Sequence, residues 1–257
     1  MGTAVIDATG CRPEAVGETI DSHPEIVRAI HTAHRQAGAE CLLTATFHLA
    51  AQIGGSSWRN SNWYQQIRQS IECAQAAGSS QIVLAFGPIG ELPDSPADWL
   101  DALPPTDALL FETLTMREHL ENALQLIATD RPTWISASFR KRDDGRIETW
   151  DGLSPAQVAQ MATASGVAAI GTNCGFEIDA PAMCEIVRQY REQTDRPILA
   201  RLNAGSPSWT EGGWWYPLSP QGFAKAVLQL REAGADSVGG CCGVTAQHLT
   251  IARKWAT

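Results

Sequence analysis

Positive charge is scarce in this sequence: 19 Lys and Arg stand against 28 Asp and Glu, for a formal charge of −9. Without a basic stripe to neutralise phosphates, neither nucleic acid nor an anionic membrane surface is an expected partner. No apolar run approaches the length of a bilayer span, and the N-terminus lacks the basic start, apolar stretch and small-residue cleavage site of a secretory signal, so a cytoplasmic location is expected. Lysine is rarer still. Lys141, Lys225 and Lys254 are the only three, none at an expected strand end, which argues against a Schiff-base lyase or aldolase. The seven cysteines do not form a disulfide framework of the kind found in small secreted domains, and Cys241 and Cys242 are adjacent; reduced thiols or metal ligands are expected instead. Linkers, low-complexity segments and charge runs are missing too, so residues 1–257 are read as one domain.

What the sequence does have is an alternation. Several stretches run from a Ser-Pro or Ser-x-Pro start through an apolar-periodic helix to a Gly stop and a short apolar strand. Ser22-His23-Pro24-Glu25 reads as a capping box opening a helix that Gly38 ends; Ser61, Ser154-Pro155 and Ser219-Pro220 open three more, stopped at Gly78, Gly166 and Gly234. Further helices are expected from about Thr115 and about Pro181. Strands are expected over 41–47, 82–86, 108–113, 133–139, 168–174, 198–204 and 237–242, with an eighth, shortened strand at 3–7 followed by a shortened loop. Near-continuous apolar strands separated by amphipathic helices indicate a parallel sheet covered by helices, and this many units favours a single (β/α)₈ TIM-type barrel over an open doubly wound sheet.

In such a barrel the C-terminal strand ends converge on the active site. Three cysteines fall at two of those ends: Cys174, and the pair Cys241 and Cys242. Catalytic Zn²⁺ takes three protein ligands and keeps a fourth position exchangeable, and thiolates suit it. Adjacent residues of a regular strand point to opposite faces, so Gly239, Gly240 and Gly243 would have to bend the backbone for both sulfurs to reach one ion. The same three residues could instead be small core residues, and spacing alone does not decide between the two readings. Cys11, Cys41, Cys73 and Cys184 are assigned to packing or surface positions. His48 follows the second strand and is left open as a proton or substrate contact; His23, His31, His34, His119 and His248 are read as solvated.

Taken in order, Arg12-Pro13-Glu14-Ala15, Ala37-Gly38-Ala39-Glu40 leading into Thr44-Ala45-Thr46-Phe47, Phe111-Glu112-Thr113, Gly171-Thr172-Asn173-Cys174, Leu202-Asn203-Ala204-Gly205 and Val238-Gly239-Gly240-Cys241-Cys242-Gly243 resemble the homocysteine S-methyltransferases over nearly the whole chain. The resemblance implies a (β/α)₈ barrel in which Cys174, Cys241 and Cys242 bind Zn²⁺ and an acceptor thiol takes the fourth position. It implies that Glu112 helps to hold the acceptor's amino group and that Asn203 lies near the metal. Asp7, Thr46 and Phe47, at the first two strand ends, complete the candidate acceptor contacts.

Two segments depart from the pattern. The family opens with a strand ending Asp-Gly-Gly-Met-Gly-Thr; here either Met1-Gly2-Thr3 matches its end and the first strand is absent, or residues 5–7 are that strand with Asp7 as its carboxylate. The second register is preferred, because a missing strand would leave unpaired backbone groups on both neighbours. Where the family often has Glu-Thr-Asn-Thr-Phe, this chain has Leu43-Thr44-Ala45-Thr46-Phe47, which leaves the acceptor open between homocysteine and a thiol that lacks or varies the amino-acid end. Aromatic faces attract onium groups, so Trp209, Trp214 and Trp215 in the long 203–218 loop, with Trp58 and Trp63, are candidates for holding an onium donor such as S-methylmethionine, S-adenosylmethionine, a betaine or a thetin. They equally suit a barrel cap or a homo-oligomer interface. A separate corrinoid protein as donor, and a non-catalytic zinc- or thiol-binding barrel, are the alternatives.

Overall fold

A computed structural model describes residues 1–257 apart from 61, 129, 211, 212 and 257, and apart from the side chains of Glu14 and Asn60. Ser61, the expected lead-in to a helix, and Glu211 and Gly212 of the aromatic segment thus lie outside the described residues. Seven strands form one sheet: β1 Cys41–Leu43, β2 Gln81–Phe86, β3 Ala108–Leu114, β4 Thr133–Ala137, β5 Ala169–Asn173, β6 Ile198–Leu202 and β7 Ser237–Gly240. All neighbours pair in parallel and in sequence order, and the sheet curls as in a TIM-type barrel. Helices α1 Gly2–Thr9, α2 Val16–Ser22, α3 Pro24–Gln36, α4 Trp63–Ala76, α5 Pro96–Ala102, α6 Arg117–Leu124, α7 Pro155–Ala164, α8 Ala180–Arg191, α9 Pro220–Glu232 and α10 Ala246–Ala256 surround it. Among the described residues no helix is long and apolar enough to cross a membrane.

Each expected strand after the first helix is present, most of them ending two to four residues sooner than expected. β1 stops at Leu43 because residues Phe47–Gln52 coil into a 3₁₀ helix. Ser154 caps α7 in a reciprocal capping box with Gln157, and Ser219 caps α9 through the Gly222 N–H. The capping box expected at Ser22 is not made. Ser22 ends α2, its hydroxyl donating to the Glu18 carbonyl, and α3 starts directly at Pro24.

The two faces of the sheet pack against different partners. Leu84, Phe86, Leu109, Phe111 and Ile135 face the helices and meet Trp63 and Trp99, with Trp63 and Trp99 edge-on at 6.4 Å and Phe86 and Phe111 stacked at 6.3 Å. Burying side chains of this kind contributes roughly 1.5–3 kcal/mol each, and well-oriented ring pairs about 0.5–1.5 kcal/mol more. Trp58 and Trp63, candidates for holding a donor, belong to this core, 8% and 1% exposed. The other face carries Val83, Ala85, Ala108 and Leu110, which with half-buried Cys41, Leu43 and Trp134 fill the lower lumen.

The eighth strand is not formed. Residues 3–7 lie within α1, which Gly10 closes in the left-handed conformation. Only one side chain of this helix, Val5, is fully buried, against Ile20, Val27, Ala45 and Cys73, so the segment has one apolar contact face and not the two that a central strand requires. The outcome matches the other register, in which the first strand is absent. β1 and β7 are the resulting edges and, at three and four residues, the shortest strands of the sheet, which limits the unpaired groups at the seam. Outside the seam the helical ring closes: Arg253 Nη1 of α10 donates to the Gly38 carbonyl after α3 at 3.2 Å.

Candidate metal centre

At the upper end of the sheet, two chain segments bring three sulfurs together. Cys174 directly follows β5; Cys241 and Cys242 follow β7 in a turn. Cys174 Sγ lies 2.7 Å from Cys241 Sγ and 3.6 Å from Cys242 Sγ, and all three lie within 4.8 Å of one another. A tetrahedral ion with Zn–S bonds of about 2.3 Å needs sulfurs about 3.8 Å apart. The Cys174–Cys242 distance is near that value, and a modest parting of Cys174 and Cys241 would complete the set. Three convergent half-buried thiols form a soft donor set that fits Zn²⁺.

Glycine placement explains how adjacent cysteines converge. A Cβ on Gly240 would sit 2.3 Å from Val244, and Gly243 turns at φ 74° beneath the Tyr216 ring, where a Cβ would sit 2.2 Å from Cγ. The turn is then tied to β6: Cys241 N–H donates to the Leu202 carbonyl, Cys242 N–H to Asn203 Oδ1 at 3.1 Å, and Ala204 N–H to the Cys242 carbonyl. Asn203 therefore positions the Cys242 backbone, as a residue beside the centre.

Asn173 was not singled out from the sequence, although it precedes Cys174. Fully buried, it accepts from Ser136 Oγ at 2.6 Å and Thr113 N–H at 3.1 Å, and its amide donates to Thr113 Oγ1 at 2.9 Å, with Cys241 Sγ 3.9 Å away. Thr113 and Cys174 both hold positive φ, 61° and 54°, with a bulge between Glu112 and Leu114. For a β-branched residue this conformation costs on the order of 1–3 kcal/mol, and the two-point clamp from Asn173 holds it in place. Strain gathers where the chain turns the cysteines inward.

The three thiols share charge unequally. Hydrogen bonds from Cys174 and Cys242 pull the Cys241 pKa well below the ordinary range. Donating to Cys241 and Cys242, with burial added, pushes Cys174 well above it. Cys242 is pushed up to about 12: its bond with Cys174 works the other way, but donation to Cys241, burial and the Cys241 charge outweigh it. Sulfurs this close oppose one another's ionisation, so gathering them as thiolates calls for a cation. Tyr216, also missed in the sequence, is held protonated by burial and by the neighbouring cysteine sulfurs.

The other expected contacts divide. Glu112 is 9% exposed and its Oε2 lies 2.7 Å from Arg201 Nη1, so its carboxylate already has a partner. Burial works against the Arg201 charge, but Glu112 and then the Cys241 and Cys174 sulfurs outweigh it and raise its pKa. A single charged residue in the apolar strand Ile198–Leu202 was the signal for Arg201. Thr46 is turned into the sheet, donating to the Ala85 carbonyl and sharing a 2.6 Å bond with Thr44 Oγ1. These bonds tie the end of the β1 segment to β2. Asp7, expected at a strand end, is on the exposed side of α1, where its charge reaches Tyr216. Phe47, 44% exposed, stands at the rim with its carbonyl and ring against Gly87. Trp209, Trp214 and Trp215 form an exposed hairpin, strands Ser208–Thr210 and Gly213–Trp215, with Trp209 and Trp214 edge-on at 5.2 Å.

Of the histidines, His48 is turned to Asp21 of α2 at 3.4 Å, under Gly17. His31 and His248 are buried and not solvated as expected: His248 bonds the Leu218 carbonyl and Thr245, whereas neither ring nitrogen of His31 has a partner among the described residues.

The homocysteine S-methyltransferase family model matches residues 1–256. Methionine synthase of Mycobacterium leprae is 26% identical over 97% of this chain, which spans 23% of that protein's length. Homocysteine S-methyltransferase YbgG of Bacillus subtilis is 22% identical over 91% of this chain and 84% of its own. The metallated crystal structure of homocysteine methyltransferase MmuM from Escherichia coli superposes with a TM-score of 0.71 at 22% identity, over 99% of this chain and 93% of that one. At that identity the likeness bears on the fold.

Proposed function

This chain belongs to the homocysteine S-methyltransferase family, and on that premise we propose that it is a thiol S-methyltransferase whose Cys174, Cys241 and Cys242 hold one Zn²⁺ for an acceptor such as homocysteine. The observation that carries the reading is the convergence of three cysteines from two strand ends at the upper lumen. Bound Zn²⁺ supplies a Lewis acid that lets the acceptor thiol lose its proton near neutral pH, where a free thiol with a pKa near 8.5 is mostly protonated. In the transfer the acceptor sulfur forms a bond to the methyl carbon, the bond from that carbon to the donor's onium sulfur or nitrogen breaks, and its electron pair stays on the leaving heteroatom.

The chain's own residues set the stage. Asn173 and Asn203 fix Cys241 and Cys242, the strained turn at Thr113 aims Glu112 into the lumen, and Phe47 with the Trp209, Trp214 and Trp215 hairpin offers aromatic faces to an onium donor. Asp7 and Tyr216 stand beside the rim. The test is metal analysis of purified protein together with transfer assays using homocysteine and onium donors. One zinc per chain and transfer without any added protein supports the reading and removes the need for a corrinoid partner. Stoichiometric zinc with no transfer from any donor would favour a thiol-binding barrel instead.

A further inference from the structure

Beneath the cysteines the lumen is crossed by the Glu112–Arg201 pair, with side chains 12% and 15% exposed. The strand registers set this crossing: Glu112 is opposite Ser136, Asn173 is opposite Arg201, and Arg201 is opposite Gly239, so these residues form a band directly below the strand ends that carry the cysteines. Gly239 leaves the guanidinium stem free of a facing side chain. Arg201 Nη1 is used by Glu112, but Nη2 is buried and has no hydrogen-bond partner among the described residues.

The neighbours do not supply one. Asn173 is engaged with Thr113, Ser136 and Cys241, Asn203 Oδ1 with the Cys242 N–H, and the Thr44 and Thr46 hydroxyls with β2. A buried cationic donor left without an acceptor is costly, and such groups in native structures are normally satisfied. An incoming ammonium meets a carboxylate already neutralised at 2.7 Å, whereas an incoming carboxylate meets the unpartnered Nη2 of a charged guanidinium.

The geometry points to Arg201 as the residue that receives the acceptor's carboxylate, making the acceptor class a thiol that carries a carboxylate, with its amino group dispensable. This rests on the reading of the chain as a thiol methyltransferase, and its test reads binding and not turnover.

Zinc-loaded protein is titrated calorimetrically, without methyl donor, with homocysteine, 4-mercaptobutyrate, which lacks only the amino group, and 3-aminopropane-1-thiol, which lacks only the carboxylate. The expected result is that 4-mercaptobutyrate binds within about threefold of homocysteine and the aminothiol at least about 30-fold more weakly, the discrimination of a site built to bond a group the analogue lacks. Arg201→Met removes that difference. Because it also leaves Glu112 unpaired, Glu112→Gln with Arg201→Met removes both charges and is expected to give the same levelling. Equal binding of the two analogues, or an unchanged preference in either variant, overturns the proposal. Failure of all three thiols to bind overturns it together with the proposed function; the expected binding preference without methyl transfer overturns only the latter.

Discussion

The two sides of the seam are built to different standards. On the β5–β7 side each cysteine is located by backbone bonds to β6, by the amides of Asn173 and Asn203 and by residues in strained conformations. On the N-terminal side a helix stands where a strand was expected, β1 has three residues, and a buried histidine on α3 lacks any partner among the described residues. The contrast teaches that tolerance to change follows chemistry. Short edge strands suffice where only the edge of the sheet is at stake, but a three-sulfur site needs its geometry held to a fraction of an ångström.

The largest expected effect breaks the strict side. Cys241→Ser should lower zinc affinity by more than about 100-fold, beyond the 10–100-fold typical of outer partners, and methyl transfer should fall with it; zinc per chain by metal analysis checks this. Asn173→Leu should cost about 10–100-fold in zinc affinity and on the order of 1–3 kcal/mol in stability, because Ser136 and the Thr113 N–H lose their acceptor. Competition with a chelator and denaturant unfolding measure the two effects. At the rim, Trp214→Ala with Trp215→Ala should raise the donor KM by roughly 3- to 30-fold, the size of about 0.5–2 kcal/mol of cation–π attraction, with zinc content unchanged.

The smallest expected effect sharpens the loose side. Burial lowers the His31 pKa to about 3 and, as the main cause, that of His34 to about 4. Between these values and 6.5 the unfolded chain takes up protons that the folded chain refuses, so stability falls as pH drops below 6.5. The slope is about 1.4 kcal/mol per pH unit for each fully titrating group, and above pH 7 neither contributes. His31→Leu should remove its share of that slope, read from unfolding free energies at pH 5, 6 and 7.

How much of this was legible in the sequence follows the same divide. Strands β1 to β7 and the cysteine cluster were readable because parallel strands are apolar on both faces and because strand ends converge by topology. The helix at Gly2–Thr9 was not, since five apolar-rich residues fit either period and only the tertiary contacts of Val5 decide. Thr46 was expected at a strand end; the strand stops at Leu43, and the Thr46 hydroxyl bonds the Ala85 carbonyl, a contact between segments that no local pattern shows. Trp58 and Trp63 were taken for rim aromatics and lie in the core, because the loop after β1 folds back over β2. The Glu112–Arg201 pair joins residues 89 positions apart, and no local pattern announces such a partnership.

The open seam also changes how the molecule breathes. A closed barrel is a hoop, and its strands separate only by breaking a ladder; here, among the described residues, β1 and β7 are sheet edges, bridged by the outer contact of α10 with α3 and by the Gly243 N–H on Thr3. Amide protons of Cys41–Leu43 and Ser237–Gly240 should therefore exchange with solvent through small openings, while those of β3 and β4 wait for global unfolding. Because Cys241 and Cys242 follow one of these edges, a metal ion clasping them to Cys174 of β5 would act as a rivet near that edge, and its arrival should be legible as slowed exchange along β7.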